Sequence, residues 1–338
     1  MLRKRNRQYD VRSAFRQMPP PRWGSALILA IITVTVFAGL DDARSVLPLG
    51  AQSRYATTSH PFAAGAPFNV RLKRPATTVA RRGTAEVLSG LASSVGADVY
   101  DFGFPIYDNV DAHTPRVAVT CTEPWGTCDL ASHAVPIPAG ATPAPGSDGS
   151  LEIIDPVRGL LYSFWQAHRS SAGAWTTSWG TIESINGPGN RTISGRPANT
   201  GSGISAVAGV VTLADLASGR IDHALSFSSR LTCSTFVAPA TKSDGHTPGP
   251  RCLPEGSRLQ LDPAVNLSAI AGITPFELMV GRALQSYGAI CKDTGGAGMA
   301  FAFQEPSEDR NPYPALGVPY DYWNMPRLPW TSVQLVTG

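Results

Sequence analysis

Between residues 98 and 305, apolar and polar side chains alternate with a period of two in many short runs, and Gly, Pro, Asn and Asp separate the runs. That period puts every second side chain on one face, so the runs predict strands with one buried side. They cover residues 116–121, 151–154, 160–167, 174–182, 220–227, 257–261, 289–292 and 299–303. The turn at 155–159 predicts a hairpin between 151–154 and 160–167. In its second arm Tyr162, Phe164 and Gln166 share one face, and Leu161, Ser163 and Trp165 the other. Along 174–182, Trp175, Thr177 and Trp179 fall on one face. The 220–227 strand carries His223 between Ile221 and Leu225.

Helical signals are fewer. Thr274-Pro275-Phe276-Glu277 combines an N-cap, a proline at the first position and an acid at N3, and predicts a helix to about Tyr287 with Gly288 as its stop. Thr212 and Asp215 predict a shorter turn of helix ended by Gly219. Residues 84–95 predict one short helix. The Gly/Asn/Pro stretch 186–203 is long enough to be a rim or lid. Short strands, many turns and one main helix predict a mostly β fold, a β-sandwich. Uneven strands and long loops favour a jelly roll over an immunoglobulin domain.

Charge at the N-terminus adds a membrane element. Arg3, Lys4, Arg5, Arg7, Arg12, Arg16 and Arg22 precede an apolar run at 26–40 closed by Asp41 and Asp42. This order predicts a segment inserted with its N-terminus in the cytoplasm, either a cleaved signal peptide or a retained anchor. Both place the rest outside the cytoplasmic membrane, secreted or anchored by the N-terminal helix. The expected organisation is a basic leader (1–23), the signal anchor or signal peptide (24–40), a flexible linker (41–97), the β-sandwich (98–305) and a Pro- and aromatic-rich C-terminal cover (306–338).

In an exported chain the five cysteines predict Cys121–Cys128 and Cys233–Cys252 as disulfides, with Cys291 a buried thiol. The formal net charge of +3 over 338 residues is small, and much of the positive charge lies before residue 83, so nucleic acid is not an expected partner. No zinc-finger spacing, P-loop, dinucleotide fingerprint or calcium loop occurs, and no metal or cofactor is expected.

Five pieces resemble a broad group of uncharacterised exported bacterial β-rich proteins: PIPAGATPAPGSDGSLEIIDP, LYSFWQA, AGVVTLADLASGRIDHALSF, EGSRLQLDP and ALQSYGAICKDTGG. Their general look is similar to concanavalin A-like sandwiches, which include lectins, glucanases and polysaccharide lyases. The resemblance implies export and a β-rich fold, without a reaction. Where members of the group often read Asp-Asn-Gly, this chain has Asp293-Thr294-Gly295, so no role for an Asn carries over.

The candidate chemistry is that of a polysaccharide-facing surface. His223 and Tyr287 are possible proton acceptors or donors, and Arg258 could neutralise a uronate carboxylate, the set a lyase needs. Trp175 and Trp179 could stack on sugar rings, with Gln166 and Lys242 as polar partners. The bland alternative gives His223 a core position and the aromatics a packing role. Two functions remain: binding or cleaving a polysaccharide or other cell-envelope polymer, or a non-catalytic envelope module.

Overall fold

The computed structural model describes residues 61–80, 82–307 and 310–337. The basic leader and the export segment at 24–40 lie outside the described residues. Among those described, no helix is long and apolar enough to cross a membrane.

The elements begin with α1 (Thr84–Ala92), β1 (Val95–Asp98), β2 (Ile106–Tyr107), β3 (Arg116–Cys121) and β4 (Ala134–Pro136). The hairpin β5 (Leu151–Asp155) and β6 (Leu160–Trp165) follows, then β7 (His168–Arg169), β8 (Trp175–Thr177) and β9 (Trp179–Ser184). Next come α2 (Leu213–Ser218), β10 (Leu225–Ser229), β11 (Thr232–Phe236), β12 (Leu253–Glu255) and β13 (Arg258–Leu261). The chain closes with α3 (Pro275–Ser286), β14 (Ala289–Thr294), β15 (Met299–Ala302) and β16 (Val333–Val336).

The fold is β-rich. A six-stranded sheet runs β1-β15-β10-β14-β13-β16, and two four-stranded sheets run β2-β5-β6-β9 and β4-β3-β8-β7. The large sheet is mixed: β1 lies parallel to β15 and β10 to β14, while the other neighbours are antiparallel. A jelly roll is an antiparallel ladder, so this topology does not confirm one. The period of two decides what each face meets. Leu225, Phe227, Cys291 and Phe301 join α1, α3 and the C-terminal segment in one core. Ala224, Ile290 and Ala302, on the other face, pack with Ile154 and Leu161 of the β5–β6 hairpin and with Ile204, Val207 and Val210. The opposite face of that hairpin carries Leu151, Ile153, Tyr162 and Phe164, which join Val119 and Trp175 of the third sheet.

Both capping boxes form: Thr212 and Asp215 at α2, Thr274 and Glu277 at α3. Both expected disulfides form and Cys291 is a buried thiol. Two bridges are consistent with an extracytoplasmic protein.

Four expectations change. Residues 61–97 are not all linker, because Phe62, Phe68, Leu72, Val87 and Leu91 are buried. The expected strand at 174–182 is two strands in different sheets, broken at Ser178. There Thr177 Oγ1 donates to the carbonyls of Trp165 (2.7 Å) and Trp179 (2.8 Å), which turns the chain from one sheet into the other. The expected strand at 220–227 starts only at Leu225, so His223 precedes it. The C-terminal segment is more than a cover: its last strand pairs along β13.

One polar group sits between the sheets. Glu152 and Glu183 have no exposed surface and Lys292 is 3% exposed. Ser163 Oγ donates to Glu152 at 2.5 Å, and Lys292 Nζ donates to the Ala206 carbonyl at 2.6 Å and lies 4.6 Å from the Phe104 ring centre. Burial favours the neutral form of each, raising Glu152 well above the usual range and Glu183 to about 8, and lowering Lys292 to about 8.

Candidate functional site

The strongest convergence of chemistry lies where β1 ends. Asp98 is its last residue, and the chain then turns through Val99, Tyr100 and Asp101. The three successive backbone N–H groups donate to the carboxylate of Asp321: Val99 and Tyr100 to Oδ1 at 2.9 and 3.3 Å, Asp101 to Oδ2 at 2.9 Å. Consecutive amides aimed at one anion form a nest, and this one seats an acid from the C-terminal segment beside Asp98.

A second loop closes on the same place. Gly146 N donates to Asp101 O at 2.7 Å, and a Cβ on Gly146 would lie 2.2 Å from that oxygen, so only glycine permits the approach. This seats Asp148, whose carbonyl accepts Gln166 N at 2.7 Å. Gln166 and Tyr322 flank the turn and both have φ 56°, a left-handed conformation uncommon for residues with a Cβ.

Electrostatics follow from this crowding. Burial first, then the charges of Asp321 and Asp148, raise Asp98 to about 8. Its Oδ1 is buried and accepts no hydrogen bond. Burial raises Asp148, partly offset by a hydrogen bond from the Trp165 side chain. Glu305 is pushed to about 7 by burial, then by Asp101 and Asp321. At neutral pH Asp98 therefore keeps a proton next to carboxylate neighbours, the arrangement a general acid needs.

Aromatic rings adjoin the acids. Trp165 and Trp179 stand directly opposite each other on β6 and β9. Trp125 lies 5.3 Å from Trp165, ring centre to ring centre, and is 54% exposed. On the other side Phe102 is 6.5 Å from Tyr322, which is 45% exposed. Exposed rings flanking carboxylic acids suit a sugar chain, whose apolar ring faces stack and whose hydroxyls bond to acids.

Of the residues singled out in the sequence, Gln166 and Trp179 come to this place. Gln166 Oε1 accepts Ser178 Oγ at 2.6 Å. The other five do not join them. Trp175 is only 4% exposed and packs on Phe164, with Arg169 over its ring. Lys242 is exposed on the loop after β11, its backbone bonded to Ser202. His223 is 3% exposed, with Nδ1 2.9 Å from Ala224 O and Nε2 3.3 Å from Asp215 Oδ2, an oxygen already engaged by the α2 cap. Arg258 is buried and donates to the carbonyls of Tyr287 (2.8 Å), Val70 (2.9 Å) and Pro67 (3.3 Å). Tyr287 lines a separate pocket of about 180 Å³ with Arg71, Arg220, Arg282 and Asp222. Asp222 is paired there with Arg71 (3.6 Å) and Arg220 (2.5 Å).

Asp98, Glu305 and Asp321 carried no sequence signal, and Asp148 suggested only a calcium ligand without a calcium-loop spacing. For Asp98 and Asp321 the only mark was the density of acids and aromatics in DVYD (98–101) and YDYW (320–323), separated by more than two hundred residues. Comparison with protein-family models, curated proteins and solved structures finds no match.

Proposed function

We propose that the protein binds a polysaccharide or related cell-envelope polymer along Trp125, Trp165 and Trp179 and cleaves it by acid–base catalysis, with Asp98 as proton donor. Asp148 and Asp321 are the carboxylates that serve as base or stabilise charge on the sugar. The observation that carries the reading is the bare, buried oxygen of Asp98, an acid held near pKa 8 beside Asp148, which is bonded to Trp165 of the tilted Trp125–Trp165 pair. The role is exported: the basic leader and apolar run deliver the chain across the cytoplasmic membrane, and the segment at 24–40 either holds it there or is removed. The reading does not depend on a jelly-roll or concanavalin A-like likeness.

The test is retention of the full chain on cell-wall and plant polysaccharides, together with release of reducing ends. Trp165→Ala is expected to weaken retention about tenfold, and Asp98→Asn to retain binding but lose about 10²–10⁴-fold in cleavage. Wild-type cleavage should fall as pH rises through about 8. Retention without cleavage in wild type would leave a non-catalytic envelope module. Absence of both would end the glycan reading.

One observation favours a second, eliminative chemistry: Arg71, Arg220 and Arg282 surround Tyr287 in its pocket. A uronate carboxylate paired with Arg282 would acidify the neighbouring C–H. The deprotonated Tyr287 oxygen takes that proton as the double bond forms, the glycosidic C–O bond breaks and the leaving sugar oxygen is protonated by water. Unsaturated sugar ends that vanish in Tyr287→Phe but persist in Asp98→Asn would assign cleavage to that pocket.

A further inference from the structure

A second group of acids lies three strands across the large sheet from Asp98. We propose that Asp244, Glu255 and Asp293 form a binding site for a calcium ion. They come from the loop after β11, the end of β12 and β14, and a carboxylate oxygen of each lies within 4.8 Å of the others. Two oxygens on one Ca²⁺, each at ~2.3–2.6 Å, stand at most ~5 Å apart, so the three can share one ion.

An independent observation points the same way. Glu255 has no exposed surface, and neither of its carboxylate oxygens accepts a hydrogen bond. The neighbouring hydroxyl of Ser243 donates to Cys233 O at 2.7 Å and accepts Gly245 N at 3.0 Å, so its proton is committed elsewhere. A buried carboxylate with no donor is costly, and a cation would satisfy both oxygens.

The other two acids are held in place. Asp293 Oδ1 accepts Gly201 N (3.1 Å) and Thr294 N (3.0 Å), and Asp244 Oδ1 accepts Thr294 Oγ1 at 2.6 Å. A Cβ on Gly201 would lie 2.4 Å from Asp293 Oδ1 and 2.5 Å from Asp244 Oδ1, so only bare backbone can form this wall. All donors are oxygens, which selects a hard cation. Ligands from three separate segments adapt to the variable coordination of Ca²⁺ more readily than to the strict octahedron of Mg²⁺. The ion would tie the loop, β12 and β14 together beside the Cys233–Cys252 bridge. The rival is a proton shared between Asp244 and Glu255 with no ion held. Cation binding is separable from the glycan reading, because it is read without any sugar.

The test strips the full-length chain with EDTA and titrates it with CaCl₂ or MgCl₂, following heat of binding and thermal unfolding. The expected result is saturable Ca²⁺ binding that raises Tm, weakened about tenfold or more by Glu255→Gln and by the exposed substitution Asp244→Asn. No response of the stripped wild type, an unchanged response in Asp244→Asn with its native circular dichroism retained, or tighter binding of Mg²⁺ than of Ca²⁺ would overturn the assignment.

Discussion

Glu183 has no exposed surface, and burial raises it from 4.5 to about 8. An acid with a higher pKa in the folded state than in the unfolded state holds its proton more tightly when folded. Its contribution is therefore fully present below pH 4.5 and declines as pH rises toward about 8. Glu183→Gln keeps the shape and removes the titration. The expected gain is ~1–3 kcal/mol at neutral pH, shrinking toward zero near pH 4.5, read from urea unfolding across that interval. A difference that does not vary with pH would place the slope elsewhere. No local pattern revealed this residue. Glu183 and Glu152 share the hairpin face of Ile154 and Leu161, which would ordinarily meet solvent, and only the large sheet and the 204–210 segment packed on that face make it dry. His223 shows the converse. Its apolar neighbours marked a buried position correctly, and its partner Asp215 was already visible as a helix cap.

The elements that were legible are those whose boundaries are set by neighbouring residues. Thr-Pro-Phe-Glu and Thr-Leu-Ala-Asp each encode a reciprocal cap within four positions, and both helices start there. The Asp155–Gly159 turn likewise announced the β5–β6 hairpin. The break at Ser178 was not legible, because it depends on Thr177 finding the Trp165 carbonyl, which belongs to another strand. The cap of α3 also has a distant duty: Glu277 Oε1 accepts Arg327 N at 2.8 Å and so fastens the C-terminal segment. Thr274→Ala is expected to cost ~1 kcal/mol. Glu277→Ala should cost ~2 kcal/mol, since two half-buried backbone donors lose their acceptor. Equal losses in chemical denaturation would argue against the second attachment.

The assembly of distant segments was the least legible feature. Export-type disulfides and a β-rich interior followed from composition and spacing, whereas the acid-and-indole site joins β1, the 145–149 loop, β6 and residues 320–322, and no periodicity links them. Asp321 is where this matters most, since its carboxylate anchors the turn after Asp98. Deleting residues 319–338 should therefore remove glycan retention together with part of the stability. Asp321→Ala should reduce retention while β16 still pairs. Undiminished retention in both variants would separate the C-terminal segment from the site.

The six-stranded sheet is bounded by β1 and β16, and the final segment attends to both margins: Trp323 bridges to Ala97, and Val333–Val336 pairs with β13. The sheet is complete only once residues 333–336 have paired with β13. Until then the backbone donors and acceptors of β13 stand open, an edge that invites pairing with another chain. Loss of residues 333–336 would leave that edge open for good.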